Sequence, residues 1–104
     1  MSIFYFPGLS WAGFINISHY LYVMMKELAA VSDETRLKML RLLARGGLCA
    51  CVLPRHVGIS QPAVSQHLKV LREAGLASMR KDGKKRIYSI SAKGRKILGD
   101  IARW

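Results

Sequence analysis

Acidic side chains are scarce in this sequence: six Asp and Glu stand against seventeen Lys and Arg in 104 residues, a formal net charge of +11. No nucleophile, base and orienting group assemble, and there is no phosphate loop or metalloprotease motif, so no enzymatic activity is expected. Cysteine is limited to Cys49 and Cys51. Two thiols one residue apart cannot frame a secreted disulfide scaffold, which makes a reducing cytoplasm the default. Aromatic residues run out early, with Tyr88 alone between Lys26 and Trp104, so the stacking platforms of an RNA binder are missing. Residues 1–25 hold no Asp, Glu, Lys or Arg. They lack the basic region and the cleavage site of a signal peptide. As a membrane span they would need about 20 predominantly apolar residues, and Pro7-Gly8, Gly13, Asn16 and His19 interrupt the run. No lipid membrane partner is expected, although a basic membrane-surface protein anchored by residues 1–25 is the rival reading from a different class.

What is present fits one globular domain. Half of the chain, 51%, is hydrophobic and 22% is charged, and a chain this short gains by burying leftover apolar surface in an oligomer, so we expect a homodimer. Every basic residue lies at or after Lys26, a balance suited to a polyanion. We divide the chain into an apolar N-terminal extension, residues 1–16, and a DNA-binding and dimerisation domain, residues 17–104. The extension reads either as an arm packed on a partner subunit or as upstream reading frame, with Met24 or Met25 as alternative starts.

Apolar spacing predicts a first helix over about 17–30, from Ile17, Leu21, Met24, Met25 and Leu28 with Ser18 as its cap. Ser32-Asp33-Glu34 starts a second, whose Leu37, Leu40, Leu43 and Ala44 form a stripe that stops at Gly46-Gly47. Arg36, Lys38, Arg41 and Arg45 lie off that stripe. Val52, Leu53 and Val57 support a brief third helix ending at Gly58. From Ser60 the pattern restarts, with Pro62 in the first turn, Val64, Leu68 and Leu71 inward, and a stop at Gly75. Asp82-Gly83 between β-favouring runs marks a hairpin. Ser91 caps a last helix carrying Ile97, Leu98, Ile101 and Ala102, weakened by Gly94 and Gly99. The expected fold is mainly α with a small β-hairpin: a winged helix-turn-helix of about five helices and a two-stranded wing.

If Val64, Leu68 and Leu71 are inside, then Gln61, Ser65, Gln66, Lys69 and Arg72 point outward, with Ser60 at the helix start. Amides and hydroxyls read base edges, whereas carboxylates would repel phosphates, and only Glu73 is acidic. Arg80, Lys81, Lys84, Lys85 and Arg86 crowd the hairpin turn, which suits a wing lying along phosphates. His67 has two readings, a DNA contact or a structural residue beside Leu68.

The stretches ELAAVSDETRLKMLRLLA and LCACVLPRHVGISQPAVSQHLKVLREAGLASMRKDGKKRIYSIS, over roughly residues 26–91, resemble the ArsR/SmtB family of winged-helix repressors. DETR, the SQPAVSQHLKVLREAGL helix and the RxDGKxxxYS wing occur in the family's order and spacing. The resemblance implies a cytoplasmic homodimer, with the first and last helices at the dimer interface, that represses an inverted-repeat DNA operator until an inducer binds. Cys49 and Cys51 fall where arsenical and soft-metal sensors of this family carry a Cys-x-Cys pair, so the resemblance implies As(III) or another thiophilic ion as inducer, with no cofactor required. Thiolates select soft ions, and a helix start favours them. Residues two apart do not face each other in an α-helix, but Pro54 leaves both cysteines ahead of the helix proper, where extended backbone puts the sulfurs on one side. The third cysteine of the arsenic-sensing pattern is absent, Pro54 standing at that offset. A small thiol, water, His56 or the other subunit is left to supply the third ligand. The last helix lacks the His and carboxylate ligands of the zinc-sensing type. Thiol-based redox sensing is the alternative.

Overall fold

The computed structural model describes residues 11–103, with side chains from residue 18 onward; expectations for residues 1–10 and Trp104 lie outside the described residues. Along the chain come α1 (Trp11–Val31), α2 (Glu34–Ala44), β1 (Leu48–Cys49), a 3₁₀ turn (Ala50–Val52), α3 (Leu53–Val57), α4 (Gln61–Glu73), β2 (Ala77–Asp82), β3 (Lys85–Ile90) and α5 (Ala92–Ala102). This is the expected winged helix-turn-helix with two differences. The two-stranded wing is the hairpin of β2 and β3, and a third strand joins it: β1 pairs with β3 through Leu48↔Tyr88 and Cys49↔Ile87, giving an antiparallel sheet of order β1-β3-β2. The first helix begins at Trp11 rather than near residue 17, so Ser18 sits inside it rather than capping it. Beyond Pro7 nothing forces a break, and Gly13 costs a helix only about 1 kcal/mol.

Local chemistry places α4. Ser60 adopts extended backbone and its Oγ accepts from the Ala63 N–H at 3.3 Å, while Pro62 occupies the first turn, where no N–H is needed. The C-terminus closes as a Schellman motif: Leu76 N–H donates to the Leu71 carbonyl and Gly75 N–H to that of Arg72, each at 2.9 Å, with Gly75 at φ +78°. Leu76 follows into the core. At the wing tip Asp82 pairs with Lys85 around Gly83-Lys84. Gly83 has φ +62° and, among the described residues, no non-glycine has a positive φ, so the turn is of the II′ kind that suits a twisted hairpin.

Met39, Leu40 and Leu43 of α2 share the core with Leu53, with Val64, Leu68 and Leu71 of α4, and with Leu76 and Tyr88. Met39 is fully buried, whereas Leu37 and Ala44 of the expected stripe are only half-buried. The reason is that α2 packs against α1, α3, α4, α5 and β3 together, so its buried face is wider than one stripe. Among the described residues, no helix is long and apolar enough to cross a membrane.

The start of α5 is docked on the end of the α4 motif. Ser91 Oγ donates to the Gly75 carbonyl at 2.6 Å and accepts from the Gly94 N–H at 3.0 Å, and Ser91 N–H donates to the Leu76 carbonyl at 3.0 Å. Gly94 is buried here, and a Cβ on it would collide with the Leu76 carbonyl and stand 2.7 Å from Ile90 Cγ1. Gly94 is therefore a requirement of close packing and not a weak point of the helix. Gly94→Ala should destabilise the fold by about 1–3 kcal/mol. Gly99→Ala, with nothing within 4 Å of the added carbon, should be neutral or stabilising by up to about 1 kcal/mol. Urea denaturation of the two variants checks the contrast.

Candidate nucleic-acid interface

With its inner face buried, α4 presents Ser60, Gln61, Ser65, Gln66, Lys69 and Arg72 to solvent. Gln61, Ser65 and Lys69 repeat every fourth residue and form one column, with Arg72 continuing it. A groove of about 520 Å³ separates this column from the wing, lined by Ser65, Lys69, Arg72, Glu73, Arg86 and Tyr88. Three of those side chains are cationic and one is anionic. Successive residues of a strand alternate faces. Arg86 and Tyr88, two apart on β3, therefore share the face toward α4, and Lys81, directly opposite Arg86 in the register, joins them. Like charges placed directly across a ladder repel, so the isolated hairpin carries a penalty that a polyanion in the groove would relieve.

The expected residues are not all gathered. Ser65, Lys69, Arg72 and Arg86 meet at the groove, whereas Ser60 and Gln61 stand at the first turn of α4, Gln66 is exposed outside the groove, and Lys84 and Lys85 are exposed at the wing tip. Arg80 forms a 3.8 Å ion pair with Asp82, both well exposed. Glu73 and Tyr88 are groove residues that sequence reasoning left out. The signal for Tyr88 was its two-residue spacing from Arg86.

His67 is half-buried and turned away from this column, its Nδ1 lying 3.3 Å from Arg36 Nη1. Arginine only donates, so Nδ1 accepts. Arg36, off the apolar stripe of α2, is itself partly buried: Nε donates to the Ala30 carbonyl at 2.8 Å and Nη2 to the Ala29 carbonyl at 3.2 Å. It lies beside the end of α1, which its own helix periodicity could not reveal. Below it, Asp33 caps α2, its Oδ1 accepting from the Arg36 N–H at 2.9 Å. That hydrogen bond first, and then the nearby Arg36 guanidinium, hold the Asp33 carboxyl below its ordinary value of 3.8.

Cys49 ends β1 with extended backbone, φ −66° and ψ 137°, and its Sγ accepts from the Cys51 N–H at 3.3 Å. The backbone then tightens into the 3₁₀ turn, so the sulfurs meet across a turn and not along the extended run expected from Pro54. They are joined as a disulfide. As expected, α3 begins only at Leu53, after both cysteines. Two thiols suit a soft ion once reduced, but among the described residues no group of three His, Cys, Asp or Glu assembles, so His56 does not complete a site with the pair. Cys49 pairs with Ile87, which places the cysteine turn one ladder step from Arg86 of the groove.

Comparison with known proteins gives a consistent picture. The family model described as "Bacterial regulatory protein, arsR family" matches residues 33–79. An arsenical resistance operon repressor from Staphylococcus aureus is 44% identical over 80 residues, covering 73% of this chain and 74% of that protein. A probable mercury resistance operon repressor from Streptomyces lividans is 48% identical over 61 residues, 59% of this chain and 49% of that protein. The crystal structure of NolR from Sinorhizobium fredii superimposes with a TM-score of 0.78 at 31% identity, covering 94% of this chain and 95% of that one.

The cap supplies a pH test. A carboxyl lowered on folding adds stability that is complete above 3.8 and is lost as pH falls through the lowered value. Asp33→Ala should therefore cost about 1 kcal/mol at about pH 7 and less in acid, where the charge-dependent part of the cap is lost, and Asp33→Asn should keep most of the cap with little pH dependence. Denaturant midpoints at neutral and acid pH measure it.

Proposed function

Because this chain belongs to the arsR family of bacterial regulatory proteins, we propose that it is a transcriptional repressor that reads a duplex operator as a homodimer. It leaves that operator when a thiophilic ion such as As(III) engages Cys49 and Cys51. The observation that carries the DNA reading is the convergence of Lys69 and Arg72 from α4 with Arg86 from β3 on one groove. A helix seated in the major groove would place Gln61, Ser65 and Gln66 at base edges, with Ser60 at the helix start, while Lys69, Arg72, Lys81, Lys84, Lys85 and Arg86 take phosphates on either side. His67, held by Arg36, acts on DNA only indirectly.

The homodimer is supported by α1, where Tyr20, Leu21, Tyr22, Met24, Met25 and Leu28 are 41–67% exposed, more apolar surface than a lone helix leaves in water. Ile97, Leu98 and Ile101 of α5 pack against the core and remain half-buried, leaving part of each for a partner subunit. A two-fold dimer reads an inverted repeat.

For induction, the two thiols are the soft ligands the chain itself supplies, with the remaining ligand from a small thiol, water or the partner subunit. When bound, the ion would hold both sulfurs and fix the turn between β1 and α3. Two routes lead from that turn to the DNA face. One runs through α3, which packs on α4. The other runs through β1, hydrogen-bonded to β3 two residues or fewer from Arg86. A coupling of about 1–3 kcal/mol along them suffices to release an operator.

A second reading is favoured by the joined sulfurs: two thiols give up two protons and two electrons to a two-electron oxidant and lock the same turn as a disulfide. Titration against the chain's own upstream DNA, at several salt concentrations and with arsenite, zinc or hydrogen peroxide added, separates the readings. Cys49→Ser with Cys51→Ser should leave operator affinity within about twofold while abolishing release by arsenite or peroxide, whichever acts on the native chain; a persistent response would place the sensor elsewhere. Lys84→Ala should weaken binding to all sequences alike and reduce the salt slope by about one, whereas Gln66→Ala should relax base preference at one position. Equal affinity of the native chain for random DNA would overturn operator reading.

A further inference from the structure

A single guanidinium joins three helices. Arg36 stands in the first turn of α2, and its Nε and Nη2 donate to the carbonyls of Ala30 and Ala29 at 2.8 and 3.2 Å, while Nη1 meets His67 Nδ1 at 3.3 Å. Ala29 and Ala30 belong to the last turn of α1, where helix carbonyls have no partner within their own helix. His67 lies midway along α4. All three nitrogens of one planar group are thus engaged, two toward α1 and one toward α4, with the side chain only 19% exposed and Asp33 Oδ2 at 3.9 Å from Nη1. The packing around it gives this bridge its weight. Helix α1 rests on α2 and α4 rests on α2, whereas α1 and α4 are not among the well-packed pairs of elements.

We propose that Arg36 is a positioning residue that sets the angle between α1 and α4, and thereby the half-site spacing the homodimer accepts. This rests on the homodimeric, operator-reading function proposed above. Arg36 lines no part of the groove, so its effect on DNA binding runs through helix placement. In a two-fold dimer built on α1, the two α4 helices are separated by a distance fixed by how each is held relative to its own α1. They must fall one helical turn apart on DNA, about 34–36 Å for 10–10.5 base pairs. Over a lever on the order of 20 Å, a tilt of about 10° shifts α4 by about 3.5 Å, one base-pair step on that scale. The apolar seams of α2 resist sliding of each helix but have no directional bond between α1 and α4, whereas a planar fork with three fixed donors does. Lysine at this position would keep the charge and lose the fork.

The test uses the full chain and a duplex it selects from a random library. Companion duplexes have the centre lengthened or shortened by one base pair, and another carries a single half-site. The native chain should prefer the selected spacing by about tenfold or more over either neighbour, the scale of one mismatched position. Arg36→Lys should cut that preference to about threefold or less while leaving single-half-site affinity within about twofold. His67→Phe, which keeps a ring but removes the acceptor, should shift the preference in the same direction by a smaller factor, and it carries the test if Arg36→Lys does not fold. Unchanged spacing preference in a folded variant overturns the proposal. So does an equal loss on the half-site and the full site, because that is the signature of a damaged or DNA-contacting α4. If the native chain shows no spacing preference or sediments as a monomer on DNA, the homodimer reading fails, and the proposal with it, from the native arm alone.

Discussion

The apolar seam between α2 and α4 is the contact on which the remaining structure depends. Met39, Leu40 and Leu43 on one side and Val64, Leu68 and Leu71 on the other are all at or below 1% exposure, and each fully buried side chain of this size stabilises by about 1.5–3 kcal/mol. Their effect goes beyond stability. Because every third or fourth residue of α4 is locked inward, the residues between them have only one direction left, and the hydroxyl, amide and cationic groups are held out as a column. The wing is built on the same seam: Leu76 leaves the Schellman turn into the core, β2 starts from it, and Tyr88 of β3 returns to it. Helix and wing therefore share one packed base, with the groove between them.

How much of this was legible in the sequence varies by element, and the reasons are physical. Helix α4 was legible because cap, first-turn proline, stripe and terminal glycine agree within sixteen residues, from Ser60 to Gly75. Strand β1 was not, since two residues carry no periodicity and are defined only by hydrogen bonds to Ile87 and Tyr88, about forty positions away. Arg36 was legible only as a residue off the apolar stripe of its own helix; its partners at the end of α1 are a tertiary fact. Gly94 looked like a helix breaker because the close approach of the Leu76 carbonyl is a tertiary fact. The groove was half legible, its cations from composition and Tyr88 and Glu73 only from the register. The cysteines were placed correctly ahead of α3, but the 3₁₀ turn that joins their sulfurs has no signature in residue type.

Charge is distributed in the same two-sided way. Among the described residues, the ion pairs are Asp33–Arg36, Arg80–Asp82 and Glu27–Lys93. Two of the three tie elements near α1, and none draws on the cations of the groove. The basic excess is left where α4 and the wing face solvent, so a polyanion in the groove meets Lys69, Arg72 and Arg86, none of them in those ion pairs, with Glu73 as the one carboxylate in the lining. Under the proposed function, that arrangement would give fast, salt-sensitive encounter, with discrimination left to the short polar groups of α4.

The sheet order β1-β3-β2 leaves β2 as an outer strand, with its backbone donors and acceptors available on one side. An open strand of six residues is a template on which another copy can stack, and proteins commonly blunt such edges with charge. Here Arg80, Lys81 and Asp82 lie on that strand, with Arg86 beside it. The cations that crowd the wing thus also discourage free copies from zipping together along their wings. Sequence change in the wing is restrained accordingly: trimming its cations would uncover an edge prone to aggregation.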